Sequence, residues 1–186
     1  QEWAERALRT VAREERLRIA VREVGTRALF TETAREISLL ADACIDFAWK
    51  RAVAELETKH GPLRADDGRS VPLTILGMGK LGGMELNPGS DVDLVLFYET
   101  DDGACEKSAL TPAEFYMRAS QRLCALLETP TEDGVVWPVD LRLRPEGKRG
   151  PLAISTARAE QYYEAWGRTW ERAALLRARP VAGDLS

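Results

Sequence analysis

The sequence predicts an α+β protein: a helical segment over residues 1–62, then a unit over residues 63–186 that combines a small mixed sheet with flanking helices. Residues 1 to about 60 contain no proline and are rich in Ala, Arg, Glu and Leu, a composition that favours helix throughout. Beyond Gly61-Pro62 the pattern changes to short apolar runs bounded by glycine and polar turn residues, which read as strands, with one strongly capped helix between them.

The helical segment reads as two helices broken near Gly25. In the second, Ile37, Leu40, Ala41, Cys44, Ile45, Ala48, Ala52, Val53 and Leu56 recur at three- and four-residue steps and make one apolar stripe. Thr33 with Glu36 is the expected cap at its start. Gly61-Pro62 and the polar stretch Arg64 to Ser70 end the helical run as a linker. Val71 to Leu76 is the first expected strand and Val92 to Tyr98 the second, joined by a glycine-rich link. Thr111-Pro112-Ala113-Glu114 has the spacing of a capping box with Pro at the first helical position, so a helix should run to Glu128 and bury Phe115, Ala119, Leu123, Leu126 and Leu127. Val135 to Leu143 is the third expected strand, and the chain should be helical from Ser155 through Tyr162, Tyr163 and Trp166, and again from Trp170 to Arg179.

Composition narrows the chemistry. The 186 residues carry 26 Lys+Arg against 30 Asp+Glu, a net charge of −4, and 45% are hydrophobic, which excludes disorder and argues against bulk nucleic-acid binding. The longest apolar stretch is interrupted by Asp93 and falls far short of the ~18 residues of a membrane span. A start at Gln1 without a signal segment suggests an excised or processed piece with missing flanks. Cys44, Cys105 and Cys124 form no Cys-x-x-Cys pair, so neither a disulfide framework nor a zinc site is supported, and a reducing cytoplasm fits best. Cys44 and Cys124 read as core fillers, and His60, the single histidine, as an exposed helix-end residue. Without a second histidine, His-based metal sites and Ser/His/Asp triads lose their main ingredient, which leaves carboxylates to carry the chemistry.

The segment Gly77-Met78-Gly79-Lys80-Leu81-Gly82-Gly83 followed by Gly89-Ser90-Asp91-Val92-Asp93-Leu94 contains a Gly-x-Gly-x-x-Gly string after a strand. A dinucleotide-binding unit would need a crossover helix next, and although Glu99 sits near the offset of a ribose-binding acid, only eight residues separate Gly82 from Asp91, among them Pro88 and Gly89. No Gly-Lys-Ser/Thr closes the string as a P-loop would require. Asp91 and Asp93 instead stand two apart at the head of a strand, so both carboxylates project from one face and favour a shared divalent cation, with an oxygen set suited to Mg²⁺ or Mn²⁺.

Downstream, Val139-Asp140-Leu141-Arg142-Leu143-Arg144 alternates strictly, which puts Asp140, Arg142 and Arg144 on one face. If this strand lies beside the first, Asp140 is a third carboxylate, and three carboxylates with phosphate oxygens can hold two metals ~3.5–4 Å apart for in-line phosphoryl chemistry. Arg142 and Arg144 would clamp phosphates, Gly79, Gly82 and Gly83 would let backbone N–H groups approach them, Lys80 lies within the same turn, and Ser90 would add a hydrogen bond. Each feature has a plainer meaning alone: Asp-x-Asp is usually a solvated turn, the two arginines suit surface salt bridges equally well, and Trp166 and Trp170 read as packing residues. Their conjunction favours a nucleotide–metal site.

Gly79, eleven residues, then Asp91-Val92-Asp93 resembles the signature of the DNA polymerase β-like nucleotidyltransferase superfamily. Residues 77–94, 139–152 and 162–172, in that order, look more narrowly like the bifunctional glutamine synthetase adenylyltransferase/adenylyl-removing enzymes, a resemblance that covers roughly residues 71–184. That family carries two related nucleotidyltransferase domains in one long chain, and Gly150-Pro151-Leu152 with the Tyr-Tyr…Gly-Arg-x-Trp-Glu-Arg block looks more like the N-terminal, adenylyl-removing copy. The resemblance implies a polymerase β-like fold and phosphorolysis: inorganic phosphate attacks the AMP phosphorus on a modified tyrosine of glutamine synthetase and releases ADP. It implies Asp91, Asp93 and Asp140 as metal-binding catalytic residues, Mg²⁺ or Mn²⁺ as cofactor, ADP or ATP and phosphate as substrates or products, and glutamine synthetase and a PII-type regulatory protein as partners. Adenylylation from ATP, and a nucleotide-binding regulatory module without catalysis, are the alternatives.

Overall fold

The structure, a computed structural model, describes residues 2–25 and 28–185. Two long helices, α1 (Glu2–Val24) and α2 (Phe30–His60), form an antiparallel flank, with α2 also packed against the rest of the chain. The start of α2 differs from expectation. The cap is Leu29, whose N–H donates to the Glu32 carboxylate at 3.1 Å, four residues before Thr33, which lies buried inside the helix. Glu36 instead pairs with Arg18 and Arg22 of α1 and so ties the two helices together.

The expected linker is a tight hairpin. It runs from β1 (Leu63–Arg64), with Arg64 bridged to Ser70 and the Ala65 N–H donating to the Arg69 carbonyl at 2.9 Å. The sheet then begins with β2 (Leu73–Gly77), two residues later than the apolar run suggested, followed by the single turn α3 (Gly79–Gly82) and β3 (Val92–Tyr98). Next come β4 (Ala104–Cys105), paired with β1, and α4 (Pro112–Glu128). Both halves of the Thr111–Glu114 capping box form, at 3.3 and 3.0 Å. The buried side of α4 includes Phe115, Ala119, Leu123, Leu126 and Leu127.

The last third of the chain departs from the sequence expectation. Of Val135 to Leu143, only β5 (Val139–Asp140) is strand, because the N–H groups of Val136 and Trp137 donate to the Leu127 carbonyl and hold that stretch on the end of α4. After a 3₁₀ turn at Gly147–Arg149 come β6 (Ala153–Ser155), α5 (Thr156–Ala165), α6 (Thr169–Leu175) and β7 (Arg179–Gly183). The helix expected to reach Arg179 stops before it: Pro180 cannot extend a helix, and the chain enters the sheet instead. Arg179 pins this entry, donating to both Asp42 oxygens on α2 at 2.8 and 3.0 Å and to the Leu81 carbonyl at 3.1 Å.

The main sheet runs β5-β3-β2-β7 and is mixed: β2 is antiparallel to β3 and β7, and β5 and β6 lie parallel to β3 on its other edge. The segment between β5 and β6 leaves that edge as an excursion. One apolar core joins Ile37, Ala41 and Ile45 of α2 to Ile75, Leu94 and Leu96 of the sheet and Leu123 of α4. Among the described residues no helix is long and apolar enough to cross a membrane.

Candidate active site

Strand β3 sorts its side chains by the two-residue pleat. Val92, Leu94, Leu96 and Tyr98 are buried on one face; on the other Asp93 is half-buried and Val95 buried, and Asp91 is exposed at the strand entrance. The parallel register of β3 with β5 sets Asp93 opposite Asp140, so carboxylates from separate segments meet on one face. Main-chain contacts fix this corner. The Met78 N–H donates to the Asp93 carbonyl at 2.9 Å, and the Val92 N–H to the Pro138 carbonyl at 2.9 Å.

Two positioning residues escaped the sequence reading. Trp137 is 1% exposed, and its indole N–H donates to the Ser90 carbonyl at 2.9 Å, which fixes the residue before Asp91. Glu128, at the end of α4, accepts the Val139 N–H at 3.0 Å and so anchors β5. A tryptophan directly before Pro138 and the strand was the available signal for the first; nothing local marks the second.

Asp93 is pushed above the ordinary carboxylate range, first by burial and then by the negative charges of Asp91 and Asp140, against the weaker pull of Arg142 and Lys80. Asp140 moves the other way because Arg142 hydrogen-bonds it. The Arg142 backbone N–H donates to Asp140 Oδ1 at 2.7 Å and its Nε to Oδ2 at 2.6 Å. Among the described residues no three His, Cys, Asp or Glu side chains stand arranged as a metal-ligand group. The oxygen donors nonetheless suit Mg²⁺ or Mn²⁺: Asp93 carries like-charge strain that a cation would relieve, and Arg142 supplies the positive charge at Asp140.

The phosphate-facing expectations divide. Gly79 has φ +55°, and a Cβ there would stand 3.3 Å from Asp93 Oδ2, so the turn passes close to that carboxylate. Lys80 follows, exposed, and the first amides of α3 have no acceptor within the helix. The N–H groups of Gly82 and Gly83 are engaged, donating to the Met78 and Gly79 carbonyls at 3.1 and 3.1 Å. The lack of a side chain at Gly82 serves packing, since a Cβ would fall 1.7 Å from the Arg177 carbonyl oxygen. Ser90 is half-buried beside Asp91.

The expected shared face of Asp140, Arg142 and Arg144 does not form, because the chain turns after Asp140. Arg142 stays at the carboxylates with its side chain 65% exposed. Arg144 is buried and donates to the carbonyls of Leu141, Gly150 and Lys148 at 2.6, 3.2 and 3.4 Å, ordering the excursion from inside. Trp166 and Trp170, expected to pack, are 77% and 53% exposed.

The profile of the glutamate-ammonia ligase adenylyltransferase family matches residues 1–186. The chain is 44% identical over 179 residues to a bifunctional glutamine synthetase adenylyltransferase/adenylyl-removing enzyme of Thioalkalivibrio sulfidiphilus, covering 96% of this chain and 18% of that protein. Proteins of the same name from Pseudomonas aeruginosa and Agrobacterium fabrum are 44% and 43% identical over 182 and 184 residues, again with 96% of this chain and 18% of each relative covered. The chain thus spans about a fifth of the length of these relatives. With the match running from the first residue to the last, the chain belongs to the glutamate-ammonia ligase adenylyltransferase family.

Proposed function

We propose that this chain is a metal-dependent nucleotidyltransferase unit acting on glutamine synthetase, and that it removes AMP from an adenylylated tyrosine by phosphorolysis. The observation that carries the reading is the meeting of Asp93 and Asp140 across the parallel β3–β5 pair, with Asp91 at its entrance and Arg142 on Asp140. In the reaction an oxygen of inorganic phosphate attacks the AMP phosphorus, the bond from phosphorus to the tyrosyl oxygen breaks, and the tyrosine hydroxyl is restored as ADP forms. Bound Mg²⁺ or Mn²⁺ would neutralise phosphate charge and activate the attacking oxygen.

Asp91 and Asp93 are the proposed holders of the cation, with Asp140 joining them when Arg142 turns from it to a phosphate oxygen. Lys80, the turn at Gly79 and Ser90 line the phosphate side. Cationic groups waiting where negative charge gathers are the main stabilisation expected in phosphoryl transfer. The resemblance of Gly150-Pro151-Leu152 and the block at 162–172 to the adenylyl-removing copy is the ground for the removing direction over adenylylation from ATP. A PII-type protein as regulator and a cytoplasmic setting complete the proposal.

Incubating the protein with adenylylated glutamine synthetase, phosphate and Mg²⁺ should release ADP in a phosphate-dependent manner that chelation and Asp93→Asn abolish. Transfer of label from ATP to glutamine synthetase without ADP release would assign the opposite direction. Nucleotide binding with neither reaction would leave a regulatory module.

A further inference from the structure

A cavity of about 550 Å³ opens beside Arg142 and is lined by Arg142, Arg149, Tyr162, Trp166, Arg168 and Trp170, with Glu146 and Glu171. Its wall is the corner between α5 and α6, held from within. The buried Glu171 carboxylate accepts the Tyr162 hydroxyl at 2.9 Å and the Arg168 backbone N–H at 2.7 Å, and Arg172 donates to the Tyr163 carbonyl at 2.5 Å. Gly167 completes the turn, where a Cβ would stand 2.8 Å from Tyr163 Cα. The residues around Trp166 and Trp170 are therefore committed to structure, while the two indoles point outward. Among the described residues neither indole stacks on another ring, and neither Arg149 nor Arg168 forms an ion pair.

The cavity gathers two exposed indoles with the guanidinium groups of Arg149 and Arg168, which form no ion pair among the described residues. The composition states the ligand's chemistry. Indole faces suit a flat aromatic group, guanidinium groups suit an anion, and Arg142 joins the cavity directly to the Asp140 carboxylate. We propose that this cavity is a purine-nucleotide subsite, with the base against Trp166 and Trp170 and the phosphate directed past Arg142 toward Asp91 and Asp93. The inference rests on the phosphorolysis proposal above and adds to it the place where the AMP group is recognised. A protein-docking surface would also use exposed tryptophans, but the adjoining carboxylate site and the guanidinium lining favour the nucleotide.

The test titrates ADP, and separately pyrophosphate, which lacks a base, against the protein in the presence of Mn²⁺. Trp166→Leu and Trp170→Leu should each weaken ADP binding by about tenfold, the scale of one lost base stack. Pyrophosphate affinity should stay within about twofold. Trp→Phe at either position should restore most of the ADP affinity, which a merely misfolded corner would not allow. Unchanged ADP affinity in both Leu variants, equal losses for ADP and pyrophosphate, or lost glutamine synthetase binding with ADP unaffected would each overturn the subsite. The two proposals fail separately: tight, tryptophan-dependent ADP binding without phosphorolysis retires the reaction alone, and phosphorolysis with the tryptophan variants unimpaired retires the subsite alone.

Discussion

Arg142 holds Asp140 at two points, through its backbone N–H at 2.7 Å and its Nε at 2.6 Å, on the strand neighbour of Asp93. The carboxylate proposed as the third holder of a cation is thus occupied by a guanidinium. Arg142→Gln should remove the guanidinium from Asp140 Oδ2 and leave only the backbone N–H on Oδ1. Mn²⁺ affinity without nucleotide, read by electron paramagnetic resonance, should tighten by roughly tenfold. The same variant should lose about 10²–10³-fold in kcat, because the charge proposed to meet the phosphate is gone.

Arg144 should behave differently although it lies two residues on. Its guanidinium is buried on three backbone carbonyls, so Arg144→Met should cost about 2–3 kcal/mol of stability through lost charge-assisted hydrogen bonds. Urea denaturation measures the loss. A stable Arg144→Met protein with a raised KM for phosphate would place this arginine at the substrate instead.

The strict alternation from Val139 to Arg144 reads as one strand, yet only Val139 and Asp140 pair. The reason is local. The short Asp140 side chain accepts the N–H of Arg142 two residues on, which closes a turn, and Pro145 follows. Where the signals were local and doubled, as in the Thr111–Glu114 box or the apolar run Val92–Tyr98, the elements lie where the sequence places them. The contact of Asp93 with Asp140 depends on a pairing between distant segments and follows from the sequence only by supposing two strands adjacent. The exposure of Trp166 and Trp170 has no sequence signal, because the residues bracing their corner are themselves apolar or charged in an ordinary helical pattern.

Trp137→Phe should remove the donor to the Ser90 carbonyl while keeping most of the ring buried. Loss of this part-buried hydrogen bond should cost about 0.5–1.5 kcal/mol. Activity should fall beyond what the lost stability explains, since the residue before Asp91 is no longer fixed; kcat measured well below the unfolding transition separates the two effects.

Gly82→Ala should destabilise by at least about 3 kcal/mol, because its Cβ would meet the Arg177 carbonyl oxygen at 1.7 Å and the Gly77 carbonyl oxygen at 2.6 Å. Gly89→Ala meets nothing within 4 Å and should cost only the strain of φ +80°, about 1–2 kcal/mol. Thermal unfolding of the pair compares steric and conformational roles.

Asp93 has its folded-state pKa raised by burial and by Asp91 and Asp140, so its ionisation works against folding. The penalty is absent below the unfolded-state value of about 3.9, grows as pH rises toward the raised folded value, and is constant above it. Without metal, Asp93→Asn should be more stable than the parent at neutral pH. The advantage should vanish in acid, and Mg²⁺ should stabilise only the parent. Urea midpoints taken across that range check the sign.

Whether Asp91, Asp93 and Asp140 share a divalent cation is read from a crystal grown with Mn²⁺ and ADP by manganese anomalous scattering. A peak ligated by Asp91 and Asp93, with Asp140 released from the Arg142 guanidinium and facing it, is the predicted result. Bound ADP with no manganese at these carboxylates, or with Asp140 still closed on the Arg142 guanidinium and the metal elsewhere, would exclude the shared cation.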